Sequence, residues 1–248
     1  MGLFTTAVLA NGPSKYPAVL ASASKENSKD TDPSKKDSGY VAGKSKADEA
    51  KKKYEVAEAD VSRAESEMRA AENEESKADK NVEGTQKEFD QKRGVRAAAL
   101  KKMKATGTPA DQSAFEAANA EWELAAAKLD SAKVAQDLAK KKVAVAKGRW
   151  AIADDRRSLA QISLKLEDPK LSPKEKADLL SARGIYAENV QKDLSFQKPY
   201  EIELAALQKK FDASQETIQK KAEVALKKVA AARRAEGTTE AAKKGLLL

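Results

Sequence analysis

The sequence predicts an all-α fold: an elongated antiparallel coiled-coil bundle of three long helices, the third kinked or broken near Pro199, preceded by a low-complexity N-terminal arm. Three observations predict it. The composition is 35% charged and only 5% aromatic, and alanine supplies much of the 41% that is hydrophobic, the signature of long helices rather than of a rounded core. Residues 110–166 repeat apolar positions in unbroken steps of three and four. Two short breaks, at residues 106–109 and 168–173, cut the helical region into pieces of about equal length.

The arm covers residues 1–43. Its start, MGLFTTAVLA, is mildly apolar, Asn11-Gly12-Pro13 stops any helix, and residues 22–38 are mostly Ser, Lys, Asp and Asn with Pro33. Such a segment buries too little apolar area to offset its ordering entropy. Gly2 and Thr6 fit the short M-G-x-x-x-[ST] pattern of N-myristoylation, although an apolar docking peptide explains the same residues. No positive region precedes the apolar run, so a secretory signal is not expected, and no 18-residue apolar run predicts a membrane span.

The first helix is expected over residues 44–105. Its stripe reads Ala47, Ala50, Tyr54, Ala57, Val61, Ala64, Met68, Ala71, Glu75, Ala78, Val82, Thr85 and Phe89. The second, over 110–166, reads Phe115, Ala118, Trp122, Ala125, Leu129, Ala132, Gln136, Ala139, Val143, Ala146, Trp150, Ala153, Arg157, Ala160 and Leu164. A 3.5-residue period is the seam of a left-handed coiled coil. In both helices alternate seam residues are alanine over most of the length, so backbones can approach closely while bulky side chains fill the flanks.

Thr106-Gly107-Thr108-Pro109 is a short connection, which makes the two helices antiparallel neighbours. Folding about residue 107 makes partner numbers add to about 214. Phe89 then meets Ala125, Val82 meets Ala132, Met68 meets Ala146, Tyr54 meets Ala160, Ala78 meets Gln136 and Ala57 meets Arg157. Large faces small in each layer. Glu75 and Gln136 fall in adjacent layers and are expected to share a register-fixing hydrogen bond, while Arg157 lies near the far end, where its head can reach solvent. Trp122 and Trp150 are read as core.

Ser172, Pro173 and Glu175 form an N-terminal signature of cap, first-position proline and capping-box acid. The third helix is expected over 173–235. Its looser stripe is Ala177, Leu180, Gly184, Ala187, Leu194, Leu204, Leu207, Phe211, Ile218, Ala222, Ala225, Val229 and Ala232. Pro199 removes a backbone donor and clashes with the preceding turn, which predicts a kink or short break. Gly237-Thr238-Thr239 is expected to end the helix. Residues 236–248 form a tail with an apolar end, Leu246-Leu247-Leu248.

The chain has no cysteine and no histidine. This excludes disulfides, thiolate nucleophiles, Ser-His-Asp and Cys-His arrangements, and the usual zinc and haem ligands. No catalytic residue, cofactor site, metal site or small-molecule substrate is assigned, and an enzyme is not expected. Asp154 and Asp155 point about 100° apart on a helix and are read as surface ion pairs with Arg156 and Arg157. The net charge of +8 points to an acidic partner. Ten basic and five acidic residues lie between 209 and 244, so Lys209, Lys210, Lys220, Lys221, Lys227, Lys228, Arg233 and Arg234 are candidates for contact with phosphate or another anion. A solvated helix flank competes with that reading, and does so more strongly for the runs Lys51–Lys53 and Lys140–Lys142. Leu3, Phe4, Val8, Leu9, Leu246, Leu247 and Leu248 are candidate docking residues.

Three long kinked antiparallel helices over residues 45–235, with basic faces and an apolar N-terminal peptide, resemble the BAR-domain architecture in layout. The resemblance implies a scaffold on an anionic membrane surface. BAR modules dimerise through a broad apolar face, whereas the alanine-rich seams here are satisfied within one chain. The leading expectation is therefore a non-enzymatic structural component of a large assembly, in a bacteriophage-type virion (portal, tail or internal core), with other protein subunits held through both termini. The alternatives are the membrane scaffold and a sequence-nonspecific nucleic-acid-binding or DNA-escort protein.

Overall fold

The computed structural model describes residues 36–245, with side chains over 45–238. The chain divides into two units, 1–41 and 42–248. Of the first unit only the beginning of a helix is described; the bundle belongs to the second.

Three α-helices are present: α1 (Lys36–Thr106), α2 (Pro109–Leu166) and α3 (Pro173–Gly245). No strand occurs among the described residues. The all-α bundle of three long helices is as the sequence predicts. The outer ends differ. Helix α1 begins at Lys36 rather than 44, and α3 runs through Gly237 to Gly245, past the expected stop. Thr238 donates its hydroxyl to the Ala235 carbonyl one turn back, which keeps this polar residue inside the helix instead of ending it.

The α1–α2 turn is built as its residues require. Gly107 adopts φ 62°, a left-handed conformation that costs a side-chain-bearing residue strain and glycine none. Its N–H donates to the Met103 carbonyl at 2.9 Å, closing α1. Thr108 caps α2, its hydroxyl oxygen accepting from the Asp111 N–H at 3.1 Å, and Pro109 takes the first turn. The buried Asp111 carboxylate accepts from the Thr106 and Thr108 hydroxyls and pairs with Lys102 at 2.8 Å. At the other turn the capping box forms: the Ser172 N–H donates to Glu175 at 2.8 Å and the Glu175 N–H donates to the Ser172 hydroxyl at 3.3 Å.

The register follows from the cross-helix partners. Lys92–Glu121, Arg96–Asn119, Glu88–Lys128, Asp79–Gln136, Glu74–Lys142 and Glu67–Arg149 join α1 to α2. Their numbers add to about 215, within a residue of the expected fold. Every α1 stripe residue from Ala47 to Phe89 is buried or half-buried, and so is every α2 stripe residue except one. The exception is Trp150, 37% exposed rather than core. The Phe89 ring lies 6.0 Å from that of Trp122, so two bulky groups share a layer that the large-against-small rule gives to Phe89 and Ala125. Gln136 donates to Asp79 at 2.8 Å, not to Glu75.

Helix α2 carries a second stripe. Ala117, Leu124, Ser131, Leu138, Val145, Ile152 and Leu159 recur every seven residues and are all buried or half-buried. This column meets α3: Ser131 bonds Ser214 at 2.8 Å, and the Val145 carbonyl accepts from Gln197 at 2.7 Å. Among the described residues every hydrogen bond and ion pair between helices has one partner on α2, which holds most of the buried residues.

Helix α3 continues through Pro199 without a break. One lost donor is a small part of a helix packed over so long a contact, so Pro199 does not break it. Its inner stripe agrees with the expected one from Leu194 onward. Earlier it does not: Ala177, Leu180, Gly184 and Ala187 are exposed, and Leu179, Ala182, Tyr186 and Val190 turn inward. The inward set includes the larger side chains Tyr186 and Val190, which bury more apolar area than alanine and glycine would.

The α2–α3 contact is pinned by a polar wedge. Gln197 is only 7% exposed. Its carboxamide lies against Gly148, and a Cβ added there would overlap it. Glycine at 148 lets the amide reach the backbone of α2, where it finds the Val145 carbonyl.

Candidate functional site

The basic residues of α3 divide into two sets. Lys221 and Lys228 turn toward α2 and pair with Glu123 at 2.9 Å and Glu116 at 2.6 Å. These ion pairs hold both carboxyls below the usual range, through the hydrogen bond to the lysine first. Seven residues apart, the two lysines act as register contacts of the bundle. Lys209, Lys210, Lys220, Lys227, Arg233 and Arg234 are exposed and form no ion pair among the described residues. Each of the doublets 220/221 and 227/228 thus has one member committed to packing and one facing solvent.

The other two lysine runs are partly tied up in the bundle. Lys141 pairs with Glu203 at 2.5 Å and sits 4.5 Å from the Tyr200 ring centre, Lys142 pairs with Glu74 at 2.7 Å, and Lys53 pairs with Glu49 at 2.7 Å. Arg149 reaches both outer helices, 3.0 Å from Glu201 on α3 and 4.0 Å from Glu67 on α1.

The acidic pair separates. Asp154 forms the expected ion pair, with Arg157 at 2.5 Å. Asp155 does not. Burial, and then the nearby Asp193 and Asp154 carboxylates, push its pKa up. It belongs to the α2–α3 side and meets like charge there, which the sequence concealed because Asp193 lies in another helix.

A shallow cleft of about 430 Å³ opens between α2 and α3. Trp122, Glu123, Asp130, Ser214, Thr217 and Lys221 line it. The Trp122 indole N–H is buried and has no acceptor among the described residues. Its ring carries the Arg96 guanidinium 4.6 Å from its centre, a cation–π contact.

Leu3, Phe4, Val8 and Leu9, the Gly2 and Thr6 pattern, and Leu246, Leu247 and Leu248 lie outside the described residues. Among the described residues no group of three Asp or Glu side chains is placed to hold a metal ion, and no helix is long and apolar enough to cross a membrane. No protein-family model, curated protein or solved structure matches this chain.

Proposed function

We propose that this protein is a non-enzymatic structural component of a large protein assembly, a virion being the setting its composition and layout fit best. The observation that supports this reading is the use made of α2. Its 58 residues would extend on the order of 90 Å, and they carry one heptad column for α1 and another for α3. The side chains along and beside both columns serve register: alanine for close approach, the Gln136–Asp79 and Gln197–Val145 polar contacts, and ion pairs such as Lys92–Glu121 and Lys228–Glu116. A chain whose sequence is given over to length and fixed register suits a spacer or strut between other subunits. The lack of histidine and cysteine throughout the sequence leaves few groups for acid–base or nucleophilic chemistry at neutral pH.

The test is to fractionate the source material by size under native conditions and follow the chain by mass spectrometry. A structural component sediments with a high-mass particle at fixed stoichiometry and stays there in moderate salt. Recovery only as a free 26.7 kDa chain would refute the proposal. Tubulation of anionic liposomes by the purified chain would replace it with the BAR-like membrane scaffold.

A further inference from the structure

The fold brings together two basic segments that are far apart in sequence. Residues 91–110, the end of α1 and its turn, contain six basic residues: Lys92, Arg93, Arg96, Lys101, Lys102 and Lys104, with no acid among them. The second segment is the exposed part of α3 near Arg233 and Arg234. Lys228 pairs with Glu116 of α2, so continuing the antiparallel register by five residues sets Arg233 at the level of Asp111. Asp111 in turn holds Lys102 at 2.8 Å. These two ion pairs place the two segments at one end of the bundle, and the Lys102 ammonium is held above its usual range by Asp111 first, with a smaller pull from Glu236 of α3.

The first turns of α2 supply four acids to this end, and each is already engaged: Asp111 by Lys102, Glu116 by Lys228, Glu121 by Lys92 and Glu123 by Lys221. The groups left facing solvent are mostly cationic. Arg93, Lys101, Lys104, Lys227, Arg233 and Arg234 are exposed and make no ion pair among the described residues, with Asp90, Glu223 and Glu236 the nearby exposed acids.

We propose that this end of the bundle is a sequence-blind contact for the sugar-phosphate backbone of nucleic acid. Several unneutralised cations held by a rigid scaffold release counterions from a polyanion, which supplies affinity without base reading. The aromatic residues at this end, Phe115 and Trp122, are half-buried, with Arg96 over both rings, so no base-stacking platform is offered. An anionic membrane is the less suitable polyanion. The tip itself, residues 105–109, is Ala, Thr, Gly, Thr and Pro, with no large apolar group to insert. The exposed cations are spread over α1, from Arg93 to Lys104, and over α3, from Lys227 to Arg234, lengths that a linear chain of phosphates can span. This inference goes beyond the structural role proposed above and does not rest on it.

The test is fluorescence anisotropy of the full chain with a random-sequence duplex of about 30 base pairs, between about 50 and 300 mM NaCl. The expected result is binding that weakens steeply with salt. A variant combining Lys101→Gln, Lys104→Gln, Arg233→Gln and Arg234→Gln is expected to lose at least about tenfold in affinity at the lowest salt. It should also flatten the log–log salt slope by about 2 to 4, near 0.9 for each phosphate no longer neutralised. The control variant, Lys51→Gln with Lys52→Gln and Lys53→Gln, removes three charges near the start of α1 and is expected to keep the wild-type slope. Circular dichroism melts of both variants check that the helices survive. Three results overturn the proposal: no duplex binding at the lowest salt, an equal loss in the control variant, or retention on phosphatidylserine vesicles that excess duplex does not displace.

Discussion

Gly148 sets up the sharpest stability test. Replacing an exposed helix glycine by alanine ordinarily stabilises by about 0.8–1 kcal/mol, because the unfolded backbone loses freedom. Gly84, Gly94 and Gly184 have open space where a Cβ would go, so Gly84→Ala, Gly94→Ala and Gly184→Ala should each follow that rule. At Gly148 the same methyl meets the Gln197 carboxamide. The side chain is flexible and can retreat, but it then gives up its 2.7 Å bond to the Val145 carbonyl. Leaving a buried amide unpaired costs about 1–3 kcal/mol, so the propensity gain is cancelled or exceeded. Gly148→Ala is expected to fall between neutral and about 2 kcal/mol destabilising. For a chain of this size that is a Tm up to roughly 4–8 °C lower. In a Gln197→Ala background the obstruction is gone, and Gly148→Ala should return to stabilising by about 1 kcal/mol. Urea titration followed by far-ultraviolet circular dichroism measures all six variants. If Gly148→Ala raises stability as much as Gly94→Ala, in the wild-type background, the wedge is not holding the two helices.

Three further outcomes are expected. The Asp111 carboxyl is held far below its ordinary value by Lys102 first and then by Thr106 and Thr108. A depressed pKa contributes stability above the unfolded value of about 3.8 that is lost as pH falls through the folded one. Asp111→Asn should therefore melt lower at pH 7 and show a flatter fall in Tm between about pH 4 and 2 than wild type. Asp155 has the opposite sign: its pKa is raised, so its ionised form opposes folding and stability rises as pH drops through the folded pKa. Asp155→Asn should raise the Tm at pH 7 and lose that advantage near about pH 4, and a lower Tm at pH 7 would contradict the like-charge contact. Trp122→Phe removes a buried N–H that has no acceptor among the described residues and should change stability by less than about 1 kcal/mol. It should also leave a fluorescence spectrum dominated by the exposed Trp150 and readily quenched by acrylamide.

The α1–α2 pairing is legible in the sequence because both helices spell one code. Alternating alanine and bulk, with a tight Gly-containing turn, leaves a single register that keeps large against small. The second column on α2 is harder to see because Ser131, Lys141 and Gly148 interrupt its apolar face, and each is explained only by its α3 partner: Ser214, Glu203 and Gln197. The same blindness gives the wrong face for the start of α3. Leu180 fits a heptad template, yet it is 50% exposed, and nothing local distinguishes it from Leu179. Trp150 matches the seam by spacing, yet it is 37% exposed, and spacing alone does not separate it from the half-buried Trp122. The basic end depends on the register that the Lys102–Asp111 and Lys228–Glu116 pairs set through α2, which no window along the chain contains.

The middle position of α2 also bears on how this sequence can change over generations. A residue on α1 or α3 answers to one neighbour, so most of its helix circumference is open to substitution. Helix α2 answers to two, on separate faces, and an insertion of less than a full heptad there would throw both pairings out of step at once. Relatives of this chain, wherever they occur, should therefore drift fastest in the outer helices and keep the length of α2 nearly constant.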